Sequence, residues 1–129
     1  MKTKFKCLHD KGTKGTCDRL KLKVTKKGKL SITIKDFEDE VLAKIKVNED
    51  KAHEIQSAMD DVITYERCVE FEVSEGKMID VDTVSCFNTT HYCFGVEDNF
   101  SFESVHLTKE DFEELQTQIK HFSVEGELL

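Results

Sequence analysis

A stretch of nineteen residues, Val41 to Met59, is written twice in this chain: moved forward by sixty positions it falls on Ser101 to Ile119. Only Glu54/Glu114 and Gln56/Gln116 are identical, but residue character persists at Leu42/Phe102, Ile45/Val105, Val47/Leu107, Asn48/Thr108, Asp50/Glu110, Ile55/Leu115, Ser57/Thr117 and Met59/Ile119. Internal similarity of this kind constrains the fold more than any single residue, because one supersecondary plan must serve both copies. Each copy reads as an extended segment entering a capped helix.

The first copy is legible in detail. Leu20, Leu22 and Val24 alternate with Arg19, Lys21 and Lys23, and Leu30, Ile32 and Ile34 repeat the pattern. Lys26-Lys27-Gly28 between them is a three-residue hairpin loop with glycine at the left-handed position. That loop pairs Val24 with Leu30, Leu22 with Ile32 and Leu20 with Ile34. A shorter alternation, Phe5-Cys7-His9, marks a first strand from Lys4, followed by the Asp10–Thr16 loop. Val41–Val47 is a further strand, and Asn48 caps a helix with Glu49 and Asp50 at its positive end. Ala52, Ile55, Met59 and Val62 recur at three- and four-residue spacing, the stripe of a half-buried helix.

The second copy follows suit. Strands are expected at Cys68–Val73, Ile79–Thr83, Tyr92–Val96 and Phe100–Leu107. Thr108 caps the last helix, Leu107 and Phe112 form a hydrophobic staple, and Phe112, Leu115, Ile119 and Phe122 supply its stripe. The tail from Ser123 is expected to fray. The fold class is therefore α+β, a tandem pseudo-repeat of ββββα units with antiparallel sheets and one helix each. The expected organisation is a single compact domain over residues 1–129, with pseudo-repeats at about 1–66 and 67–123. This order of elements resembles the Whirly-type single-stranded DNA binders, which are built from two such units; no sequence motif carries the resemblance, so it speaks to architecture.

Charge is unevenly distributed along the chain. Residues 1–35 hold twelve Lys/Arg against Asp10 and Asp18, a balance of +10, while residues 36–129 hold seven against twenty-four Asp/Glu, a balance of −17. Strand alternation places Lys4, Lys6, Arg19, Lys21, Lys23, Lys29, Lys35, Lys44 and Lys46 on the outward face of the first sheet, among Ser31 and Thr33. Such a face suits a phosphate backbone, and equally a solvated edge that deters aggregation; it lacks the aromatic residues on which bases stack. On the second sheet, pairing Phe71 with Val81 and Val73 with Ile79 sets Glu72 opposite Asp80 and Glu70 opposite Asp82. Like charges across a ladder repel, so these four, with Glu97 and Asp98 on a nearby loop, call for a basic protein partner, a second copy, or compensating lysines nearby.

Five cysteines without an apolar leader or a transmembrane run point to reduced thiols and a cytoplasmic chain. Cys7, His9 and Cys17, and Cys86, His91 and Cys93, are weak zinc candidates, neither set having knuckle spacing. Nucleophile-elbow, phosphate-loop, metalloprotease and dinucleotide motifs are all missing. The expected function is therefore a non-catalytic, cofactor-free binding protein that docks charged sheet faces on a protein or nucleoprotein partner. Its composition suits a phage or mobile-element accessory protein that inhibits host nucleic-acid machinery. The alternatives are a single-stranded nucleic-acid binder using the basic face, and a self-associating structural protein.

Overall fold

The computed structural model describes residues 1–8, 18–86, 89–99 and 101–129. It contains two four-stranded antiparallel sheets, each followed by one helix. The first sheet comprises β1 (Lys4–Lys6), β2 (Arg19–Val24), β3 (Leu30–Lys35) and β4 (Val41–Val47), in that spatial order, and leads into α1 (Glu49–Tyr65). The second comprises β5 (Val69–Ser74), β6 (Lys77–Cys86), β7 (Thr89–Asp98) and β8 (Ser101–Leu107), again in chain order, and leads into α2 (Lys109–Glu125). Sequence-adjacent strands pair throughout both sheets, as in an antiparallel meander.

The first hairpin has the expected register, Val24 opposite Leu30, Leu22 opposite Ile32 and Leu20 opposite Ile34. Gly28 takes a φ of 78° in its turn, where a side chain would be strained. Both predicted N-caps form: Asn48 Oδ1 accepts from Lys51 N–H at 2.9 Å, and Thr108 Oγ1 from Asp111 N–H at 3.1 Å. The two helices have the same length, and their boundaries, caps and left-handed C-cap residues, Glu66 and Gly126, all stand sixty positions apart.

Both sheets and both helices contribute to one cluster of buried apolar residues. From the sheets come Phe5, Leu20, Ile32 and Ile45, and Ile79, Phe94 and Val105; from the helices, Ile55 and Met59, and Leu115 and Ile119. The helices lie against one another, and Gln116 Nε2 donates to the Gln56 carbonyl at 3.1 Å, joining two residues that are equivalent in the repeat. Near the start of β8, Ser101 Oγ donates to the Leu42 carbonyl at 3.0 Å, tying β8 to β4. No described helix is long and apolar enough to cross a membrane.

Several boundaries differ from expectation. β6 and β7 are ten-residue strands, extending past the apolar alternation at both ends, because a long hairpin pairs its polar ends as readily as its core. β5 and β6 are joined by the two-residue turn Glu75–Gly76, with Ser74 opposite Lys77, and a register shift between Glu72 and Ser74. The pairing is consequently Phe71 with Ile79 and Val69 with Val81, two positions from the expected one. α2 extends past Ser123 to Glu125, and the buried Gln118 amide meets Leu129: its Oε1 accepts from Leu129 N–H at 2.8 Å and its Nε2 donates to Leu129 O at 3.3 Å. His9 and Cys17, the Asp10–Thr16 loop and Phe100 lie outside the described residues.

Candidate functional site

Matching the sheets strand by strand extends the repeat well beyond the stretch visible in the sequence. With β8 taken as β4 moved by sixty, Ser104 corresponds to Lys44, and Gly95, which faces Ser104, corresponds to Thr33, which faces Lys44. Continuing across the ladders, Asp80 corresponds to Lys21 and Glu70 to Lys4. The inward positions agree in kind: Phe5 with Phe71, Leu20 with Ile79, Leu22 with Val81, Ile32 with Phe94 and Ile34 with Val96. Glu103, in the place of Ala43, departs from the pattern, and burial followed by the Asp18 charge pushes its carboxyl above the usual range.

The outward positions are inverted in charge. Lys4 is replaced by Glu70, Lys6 by Glu72, Lys21 by Asp80, Lys23 by Asp82 and Lys35 by Glu97. One antiparallel frame thus carries two faces of opposite sign, both turned away from the shared core.

On the first sheet the ladders form rows of cations. Thr33 lies between Lys21 and Lys44, with Lys4 beyond Lys21, and Ser31 lies between Lys23 and Lys46. Although they point outward, Ser31 and Thr33 are only 4 % and 7 % exposed, because they occupy a central strand between lysine-bearing neighbours. Their hydroxyls bond to one another at 3.3 Å, a single bond for two donors. Lys21, Lys23, Lys35, Lys44 and Val41 surround them in a groove of about 170 Å³. Asp39 neutralises one end of the face, meeting Arg19 at 3.1 Å and Lys35 at 3.5 Å. The Arg19 hydrogen bond, then the Lys35 charge, holds the Asp39 carboxyl below its ordinary value. No ion pair to Lys4, Lys6, Lys21, Lys23, Lys44 or Lys46 occurs among the described residues. Lys29 stands outside the ladder, where its backbone closes the β2–β3 turn on Thr25.

The second face has a different texture. Glu70, rather than Glu72, is directly opposite Asp80; Glu72 faces Met78; and Asp82 lies beside Cys93. Burial, followed by the charges of Glu70 and Asp82, pushes the Asp80 carboxyl up, against a weak opposing hydrogen bond from the Cys68 thiol at 3.8 Å. Phe102 lies over Gly95, where an added Cβ would come within 2.8 Å of its ring. Glu70, Asp80, Glu97, Met78 and Phe102 enclose a cavity of about 140 Å³, and Phe102 remains 50 % exposed. Asp98 does not join this set. It follows Glu97 on the strand, so it falls on the opposite side of β7, where Lys77 meets it at 3.7 Å.

Sequence reasoning missed Met78, Gly95 and Phe102. A glycine inside an otherwise regular strand signals close approach by another group, and Gly95 carries that signal.

The described thiols differ in setting. Cys7 is buried and its Sγ accepts from His106 N–H at 3.3 Å. Burial, the largest influence on Cys93, pushes that thiol up and disfavours the thiolate that binds metal. His91 shares the outward side of β7 with Cys93, while the Cys86 side chain is outside the described set. Among the described residues no three His, Cys, Asp or Glu side chains converge to hold a metal. Comparison with protein-family models and with curated protein sequences gives no match.

Proposed function

We propose that this chain is a small non-catalytic binding protein that docks the outer face of its second sheet onto a basic surface of a macromolecular partner. The supporting observation is the direct register of Glu70 with Asp80, flanked by Asp82 and Glu97, with the Asp80 carboxyl pushed up by its surroundings. Like charges held opposite one another weaken a ladder, and a partner's Lys or Arg removes that cost on binding. Phe102 and Met78 add what charge alone lacks, an apolar anchor inside a polar rim, the arrangement that concentrates binding energy. A protein surface that otherwise holds nucleic acid has the matching sign. Inhibition of such machinery, in the manner of a phage or mobile-element accessory protein, is one biological setting for this docking.

The test is co-purification from the native host followed by a binary titration with the purified partner. Glu70→Lys with Glu72→Lys should lose the partner at unchanged thermal midpoint, whereas Lys21→Glu with Lys23→Glu should keep it. A partner retained by the acidic-face variant removes this reading.

A second reading rests on the groove over Ser31 and Thr33. Two hydroxyls sharing one hydrogen bond leave a donor beneath a rim of lysines, which suits a phosphate oxygen of single-stranded nucleic acid. With no aromatic residue in this groove, contacts would be to the backbone and independent of base sequence. The association constant for labelled oligothymidylate, read by anisotropy, should then fall with salt at a log–log slope of about 0.7 per phosphate neutralised. Thr33→Val should weaken binding without changing that slope, since a neutral donor releases no counterion. Flat anisotropy at low salt eliminates this reading.

A further inference from the structure

The charge inversion has a geometric consequence that neither face has alone. The two faces share strand number, order and pairing sense, and at five matched positions a cation of one is a carboxylate of the other. Neighbouring strands are about 4.8 Å apart in both sheets, so the cross-strand spacing of the lysines matches that of the carboxylates. The Lys4–Lys21–Thr33–Lys44 row thus has its counterpart in Glu70–Asp80–Gly95–Ser104.

One molecule cannot bring these rows together. Each sheet turns its apolar side to the common core, which leaves both charged sides facing outward. Nor are the charges neutralised locally. Among the described residues the ion pairs of the first face are confined to Asp39 with Arg19 and Lys35, and the ion pair of Lys77 engages Asp98 rather than the carboxylates around Asp80.

We infer that the basic surface fitted by the second sheet is the first-sheet face of another copy of this chain. This rests on the docking reading above and names its partner. With β1 of one copy over β5 of the next, Lys4 and Lys21 meet Glu70 and Asp80. The contact is heterologous: the two copies use different surfaces, so an open assembly keeps one free face of each sign, at its two ends. Assembly then proceeds head to tail until a ring closes, or continues as an open chain. Exposed ion pairs are individually weak and screened by salt. The association is accordingly reversible and confined to low ionic strength.

The experiment is light scattering of the purified chain over a range of concentration at low and high salt, with two charge-reversed variants. Lys21→Glu with Lys23→Glu sets two carboxylates into the basic face and leaves the acidic face intact, and Glu70→Lys with Glu72→Lys sets two lysines into the acidic face and leaves the basic face intact. The parent should exceed the monomer mass at low salt and return to it at high salt. Each variant alone should stay monomeric, and an equimolar mixture should regain mass, because each supplies the face the other lacks. Unchanged circular dichroism and thermal midpoints establish that the variants fold; neutral Lys23→Gln and Glu72→Gln variants, at exposed positions, substitute for any that do not.

A parent that is monomeric at every salt concentration overturns the inference, as does association that survives either reversal or a mixture that stays monomeric. Failure of the inference is separable from failure of the docking reading. A monomeric parent that still loses a host partner on Glu70→Lys with Glu72→Lys refutes self-assembly and keeps the acidic docking face.

Discussion

The outer face of the first sheet and that of the second are built on one frame and differ in nearly everything that touches solvent. Lys21 and Asp80 sit at matched places, each beside a central strand and each flanked by a residue of its own sign, Lys4 or Glu70. Beneath them the floors differ as well: a buried hydroxyl at Thr33, and a bare backbone at Gly95 covered by Phe102. Strand periodicity explains why such divergence is possible. Successive side chains point to opposite sides, so the inward set can hold the core while the outward set changes sign without disturbing it. The two faces should therefore respond differently to the same kind of change.

The largest expected contrast is at the floors. Gly95→Ala places a methyl group against the Phe102 ring, and the ring must leave the sheet or the strands must part. Overpacking of this kind costs about 1–3 kcal/mol. Thr33→Ser at the matched position removes one methyl group, keeps the hydroxyl, and should cost about 1 kcal/mol or less. Urea denaturation of both variants checks the pair. Equal losses would mean that Phe102 does not depend on a bare backbone at Gly95, and the distinction between the floors would collapse.

That floor also marks the limit of what could be read from the sequence. The fold class, both helix caps, both helical stripes and the first hairpin were legible because they depend on local periodicity and capping chemistry. The full extent of the repeat was hidden by turn lengths. Matched residues are 60 apart at β4/β8, but 62 apart from Thr33 to Gly95, 59 from Lys21 to Asp80 and 66 from Lys4 to Glu70. A comparison at one fixed offset therefore finds the last strand and helix of each unit and loses the other three strands. The acidic register was missed for a related reason. Hydrophobic alternation fixes which side a residue faces, but a shift of two leaves the sides unchanged. Only the Glu75–Gly76 turn and the irregularity before Ser74 decide that Glu70, and not Glu72, meets Asp80.

A smaller contrast lies at the helix ends. Glu66 and Gly126 occupy equivalent C-cap positions with φ of 54° and 72°. A side chain in this conformation costs about 1 kcal/mol that glycine does not incur. Glu66→Gly should therefore stabilise the chain by about 0.5–1 kcal/mol, and Gly126→Ala should destabilise it by about 1 kcal/mol. Thermal midpoints moving in opposite directions would confirm that the two units share backbone geometry even where their residues disagree. A midpoint lowered by Glu66→Gly would assign that glutamate a role other than capping.

The smallest effects, and the most diagnostic of sign, come from two aspartates on opposite faces. Asp39 has its folded-state pKa lowered by Arg19 and Lys35, so its contribution to stability is complete above its ordinary value of 3.8 and is lost as pH falls through the depressed one. Asp80 has its folded-state pKa raised by burial, Glu70 and Asp82. Its folded form binds a proton more tightly than its unfolded form, so ionised Asp80 weakens the fold at neutral pH, and acidification relieves that cost as pH falls through the raised value. Asp80→Asn should therefore stabilise the chain at pH 7, by about 0.5 kcal/mol on the scale of cross-strand charge pairs, and the gain should vanish on acidification before the ordinary carboxylate range is passed. Asp39→Asn should instead lower stability at pH 7, with the loss persisting until pH falls below that range. Stability against pH for the parent and the two variants gives two difference curves. Opposite signs at neutral pH follow from one aspartate being held by cations and the other crowded by carboxylates. Curves of the same sign would show that the second face is already neutralised within the molecule, and would remove the unmet charge on which its docking depends.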